Sequence, residues 1–149
     1  MQRFTFQLEG VLRHKHWLED EAKRKLGVAV QKRIILQQEL KDIDENHKTI
    51  LQERSQTANL SPKQHLSFIQ YGHKLLQQKE DKKKEIDAQN IAIDLKQQHL
   101  NEAVIERKKF EKLKEKKFSE YSLYKKRKER QIADEISTNF IQRFGKSIY

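Results

Sequence analysis

The stretch Asn59-Leu60-Ser61-Pro62-Lys63-Gln64 divides the chain and decides its fold. Pro62 is the only proline in 149 residues, and proline is tolerated at the first position of a helix while it breaks a helix interior. One helix therefore ends before it and another starts there. Ser61 is a favoured N-cap. Gln64, three residues on, completes a capping box in which each side chain satisfies a backbone N–H that the new helix leaves without a partner. So short a connection places the two helices antiparallel and side by side. The expected architecture is all-α, an antiparallel two-helix coiled-coil hairpin with an extended second helix. It forms a single elongated hairpin over residues 1–149, with helix 1 at about 4–56, a turn at about 57–61 and helix 2 at about 62–143.

Composition restricts what such a hairpin can be. The chain is 36% charged and 35% hydrophobic, with Gly 4 and Pro 1, a helix-forming vocabulary with almost no loop vocabulary. A globular core would need a broader apolar face, so a narrow seam between two exposed helices is expected. Intrinsic disorder competes, because low hydrophobicity and a net charge of +10 also describe an unfolded chain. Regular apolar spacing argues against it. With Cys 0 there is no disulfide framework and no thiolate chemistry. No apolar run of about 18 residues exists and the N-terminus lacks a signal-peptide core, so a soluble, cytoplasmic protein is expected.

In the first helix, Ala22, Leu26, Ala29, Arg33, Leu36, Leu40, Ile43, His47 and Ile50 alternate steps of four and three. This is the heptad period of a left-handed coiled coil. Upstream, Phe4, Leu8, Val11 and Leu18 continue the stripe, but Leu18 to Ala22 to Leu26 are both steps of four, a stutter that unwinds the coil locally. Gly10 and Gly27 mark close contacts, flexible points or simple tolerance.

The second helix is longer. Between Pro62 and Gly145 stands one glycine, Gly72, and some 80 residues at about 1.5 Å each span roughly 120 Å. Phe68, Ile69, Leu75, Leu76, Ile86, Ile93, Leu100 and Val104 supply a facing seam, with Lys82, Lys83, Asn90 and Gln97 in or near it. Beyond about residue 115 the partner helix runs out. Phe110, Leu113, Phe118, Tyr121, Tyr124, Ile132, Ile136, Phe140 and Phe144 are then left unpaired, and such a stripe is usually covered by another chain.

Charge concentrates on that overhang. Residues 106–130 hold twelve Lys or Arg against five Asp or Glu. The block suits a solvated face, a nucleic-acid patch or an acidic partner. Interleaved aromatics keep single-strand binding open, yet the basic block follows the seam rather than preceding it, unlike a basic zipper. No specific nucleic acid is expected.

Catalysis has little to stand on. None of His14, His16, His47, His65, His73 and His99 forms an i, i+4 pair or a His-Glu-x-x-His site. No glycine-rich phosphate loop or nucleophile elbow is present, and a two-helix hairpin has no cleft to raise a carboxylate pKa. No enzyme activity, catalytic residue, metal or cofactor is expected.

The opening Arg3-Phe4-Thr5-Phe6-Gln7-Leu8-Glu9-Gly10-Val11-Leu12 resembles the start of the bacterial flagellar export protein FliJ family. Phe68-Ile69, Arg107-Lys108-Lys109 through Leu113 and Tyr121, and Arg130-Gln131-Ile132-Ala133-Asp134-Glu135 also look like that family. The order and spacing of these motifs carry the resemblance over essentially the whole chain. The related stalk proteins of virulence type III secretion share the architecture.

The resemblance implies a two-helix stalk that inserts into the hexameric ring of the export ATPase FliI, promotes its assembly, links it to the export gate protein FlhA and exchanges export chaperones. It implies a place on the cytoplasmic side of the inner membrane at the flagellar base, with membrane association only through the export apparatus. On this basis Phe4, Phe6, Leu8, Lys117, Phe118, Tyr121, Tyr124, Lys125, Lys126, Arg127, Lys128, Arg130 and Ile132 are candidate ATPase contacts. Ile43, Ile50, Phe68 and Leu75 near the hairpin tip are candidate gate contacts, although Gly72 and Lys79 stand where bulkier residues are expected. The alternatives are a structural coiled-coil tether or scaffold and a basic nucleic-acid-binding helical protein.

Overall fold

A computed structural model describes residues 3–144. Among them are two helices and no strand: α1, Glu9–Gln56, and α2, Pro62–Phe144. The chain is an all-α helical hairpin. Its helices run antiparallel, since contacts pair rising numbers on α1 with falling numbers on α2, as in Glu39–Lys82 and Asp44–Lys79. By its contacts the chain divides into two compact units, Leu18–Ala103 and the pair Met1–Trp17 with Val104–Tyr149.

In the unit Leu18–Ala103 the turn is built as its sequence dictates. Ser61 N donates to Gln64 Oε1 at 2.9 Å, and Gln64 N donates to Ser61 Oγ at 3.3 Å. Both halves of the capping box are therefore made. On the other side, Thr57 N and its hydroxyl both donate to the Glu53 carbonyl, closing the last turn of α1.

The seam of this unit follows the heptad, with one correction at its start. Glu19 is the covered residue, only 6% exposed, whereas Leu18 beside it is 36% exposed. Glu19 to Ala22 to Leu26 are steps of three and four, so no stutter occurs here. The Glu19 carboxylate meets Lys23 Nζ, one turn away, at 2.7 Å, so the charge in the seam is paired. From there Ala29, Leu36 and, on α2, Leu75 are buried. Ile43, His47, Ile50, Phe68, Ile86 and Ile93 are half-buried. Leu76, Lys83 and Gln97, placed in or near the seam by sequence, are exposed. Lys82 and Asn90 are half-buried as expected, and Gly72, Lys79 and Gln89 are half-buried as well.

That seam is held by polar contacts as much as by apolar ones. Lys82 Nζ meets Glu39 Oε2 at 2.9 Å, and Gln89 Nε2 donates to the Ala29 carbonyl at 2.9 Å. Lys79 donates to Asp44, and this hydrogen bond, with a second from Lys48, lowers the Asp44 pKa to about 2. Arg33 Nε is buried without a hydrogen-bond partner. A Cβ added at Gly27 or Gly72 would meet nothing within 4 Å, and neither has a positive φ, so neither glycine is required by a close contact.

In the unit Met1–Trp17 with Val104–Tyr149, α1 starts later than the sequence suggests, at Glu9 rather than about residue 4. Residues 3–8 form a non-helical strap. Phe4 and Phe6 both border a concavity with Leu113, Lys117 and Tyr121 of α2. Phe6 is 8% exposed, and Leu12, not Val11, is the buried residue of the first turn. Glu9 N donates to the Phe6 carbonyl and Leu12 N to the Leu8 carbonyl, which begins the helix, and the Glu9 carboxylate suits its positive end. Lys114–Glu9 at 2.7 Å, Lys15–Glu106 at 3.5 Å and His16–Glu111 at 3.4 Å tie the strap-proximal turns of α1 to α2.

Candidate functional site

The strap alters which residues of α2 lack cover. The ring of Phe4 sits edge-on to Phe118 at 5.3 Å and tilted against Tyr121 at 5.5 Å. Phe6, Leu8, Leu113 and Lys117 border the same concavity. Phe110 is half-buried with Lys15 Nζ 5.8 Å from its ring centre. Phe110, Phe118 and Tyr121, expected to be unpaired, therefore have partners within the chain, while Leu113 stands at the rim of the concavity. The uncovered part of α2 begins after Ser122, and every described side chain from Leu123 to Arg143 is exposed. Tyr124, Ile132, Ile136 and Phe140 lie on this part. Phe144 lies at the end of α2, with its side chain outside the described residues.

The geometry also sorts the basic block into two parts. Up to Lys117 most cations face a carboxylate: Arg107 to Glu111 at 2.6 Å, Lys109 to Glu106 at 2.6 Å, Lys114 to Glu9 at 2.7 Å and Lys117 to Glu120 at 2.9 Å. The hydrogen bonds from Lys109 and Lys117 hold the Glu106 and Glu120 carboxyls below the usual range. Past Leu123 the balance reverses. Lys125 reaches Glu129 only at 3.8 Å, and Lys128 lies 5.2 Å from the Tyr124 ring centre. Among the described residues Lys126, Arg127 and Arg130 have no ion-pair partner. Uncompensated positive charge and uncovered apolar side chains thus coincide on Leu123–Arg143.

The candidate gate residues lie in the other unit. Ile50 and Phe68 line a concavity beside the turn together with Tyr71. Ile43 is half-buried farther along the seam. Leu75 is 4% exposed and its side chain is taken up in the packing between the helices. Tyr71, exposed beside Phe68, falls next to the heptad rather than on it, so spacing alone does not single it out.

Among the described residues no three His, Asp or Glu side chains gather as metal ligands, and no helix is long and apolar enough to cross a membrane. Fold and surface define a coiled-coil hairpin with a basic, uncovered helix end. Residues 4–146 match the family described as Flagellar FliJ protein. The chain belongs to that family, a component of the flagellar export apparatus. No curated protein and no solved structure matches it.

Proposed function

We propose that this chain is the stalk-like coiled coil of the flagellar type III export machinery. It binds the ring of the export ATPase FliI, promotes its assembly and activity, and couples it to the gate protein FlhA and to substrate chaperones at the cytoplasmic side of the inner membrane. The observation that carries this reading is the coincidence, on Leu123–Arg143, of exposed apolar side chains with Lys126, Arg127 and Arg130, which have no ion-pair partner among the described residues. Long-range attraction comes from Lys125, Lys126, Arg127, Lys128 and Arg130. Short-range contact comes from Tyr124 and Ile132, with Lys117, Phe118 and Tyr121 adjoining and Phe6 and Leu8 at the border, where Phe4 lies over Phe118 and Tyr121. Ile50, Phe68 and Ile43 supply the gate contact, with Tyr71 added and Leu75 acting through packing.

The test is the ATPase's hydrolysis rate against increasing amounts of this protein, with size-exclusion light scattering on the same mixtures. Stimulation together with a hexamer-sized species is expected. No stimulation and no complex would refute the stalk reading. A tether that self-associates would instead show as a homodimer at micromolar concentration with no effect on hydrolysis.

A further inference from the structure

The strap of residues 3–8 is built differently from the rest of its unit. Among the described residues none of its backbone groups bonds to α2, and its one side-chain hydrogen bond, Thr5 Oγ1 to the Arg3 carbonyl at 3.5 Å, is internal. Among the described residues it is held by side chains, and unequally. Phe6 is buried, whereas Phe4 is half-buried and rests on two aromatic contacts, one of them to a Phe118 ring that is itself more than half exposed. Phe118 and Tyr121 lie within two turns of the place where uncovered apolar surface begins. Phe4 therefore covers the near edge of that surface.

We propose that the Phe118–Tyr121 face of α2 is part of the docking surface and that Phe4 keeps it covered until a partner displaces it. This rests on the reading of α2 beyond Lys117 as the ATPase contact. The incoming group is an apolar or aromatic side chain of the ring flanked by acidic residues, since it must replace a phenyl ring while facing the cations of 125–130. Among the described residues, displacement breaks no backbone hydrogen bond between strap and α2. Phe6 and the Glu9 N to Phe6 O contact stay as the hinge. The covered state lowers the apparent affinity by the fraction of molecules in which the face is open.

The test compares ATPase binding by wild type, Phe4→Ala and Phe118→Ala, with helicity checked by circular dichroism. The net closing constant is taken as roughly three to ten, the range that one aromatic pair of ordinary strength supplies. Phe4→Ala should therefore bind about threefold to tenfold more tightly, and Phe118→Ala more weakly than wild type. Because the chain has no cysteine, Thr5→Cys with Leu113→Cys can be joined by a short reducible linker across the concavity that both residues line. The linked form should bind several-fold more weakly, and reduction should restore it. If wild type binds but Phe4→Ala binds equally or more weakly, the cover is overturned while the docking surface stands. If wild type does not bind at all, the docking reading and the cover fall together.

Discussion

Removing Lys126, Arg127 and Arg130 as a triple glutamine substitution tests the electrostatic core of the proposal. These three cations have no carboxylate partner among the described residues, so their charge is available to another molecule. An exposed ion pair contributes about 0.2–1 kcal/mol. Three new pairs with an acidic partner then amount to about 0.6–3 kcal/mol, or roughly a threefold to hundredfold change in Kd. Lys25→Gln, Lys83→Gln and Lys109→Gln together form the control. They remove the same three charges, but from side chains that already meet Glu21, Glu80 and Glu106. Kd for the ATPase would be measured for both triples by calorimetry at low, physiological and high salt. The screening length is about 30 Å at 0.01 M and about 3 Å at 1 M. The affinity difference should accordingly be largest at low salt and close as salt rises, with a shallower salt dependence in the binding-site triple than in wild type. If the two triples bind alike at low salt, net charge alone accounts for the attraction and the assignment to residues 126–130 is wrong.

Other consequences concern the seam and the turn. Leu36→Ala and Leu75→Ala should each cost about 2–5 kcal/mol in urea denaturation; an equal loss for Leu18→Ala, which is largely outside the seam, would contradict the Glu19 register. Gly27→Ala should stabilise the chain by about 0.4–1 kcal/mol, because the added methyl enters open space on a helix; a lower denaturation midpoint would show a contact there. Ser61→Ala should cost about 0.5–2 kcal/mol through the lost cap, read in the same assay. Asp44, held at a pKa of about 2 by Lys79 and then Lys48, binds its proton more readily in the unfolded chain. Its stabilising contribution is thus complete above its ordinary value of 3.8 and is lost as pH falls from there through about 2. Asp44→Asn should flatten the acid side of the stability profile in that interval, and an unchanged slope would remove Asp44 as a contributor.

Much of the fold was legible in the residues. Ser61, Pro62 and Gln64 act through local geometry, so a helix end, a cap and a second helix start follow from the sequence alone. The three-and-four spacing from Ala22 to Ile50 gives the face of α1 that meets α2, because helix periodicity fixes which side chains share a side. Family likeness was also visible in linear motifs, from Phe4 to Leu12 and from Arg130 to Glu135.

The tertiary structure decided what depends on the facing element. A search for apolar residues chooses Leu18 over Glu19 and Leu76 over Lys79, and it does not anticipate that Asp44 of the facing helix meets Lys79 in the seam. Phe4 and Leu8 fit the spacing of the helical stripe in the sequence, yet both lie in the non-helical strap ahead of α1. Only their packing on Leu113, Lys117 and Tyr121 settled the matter. The twelve cations of 106–130 look alike in sequence, and carboxylates divide them: those up to Lys117 mostly meet Glu9, Glu106, Glu111 or Glu120, whereas Lys126, Arg127 and Arg130 meet none among the described residues. Local rules give elements and faces, but the charge left exposed depends on the register between two helices, which no single helix encodes.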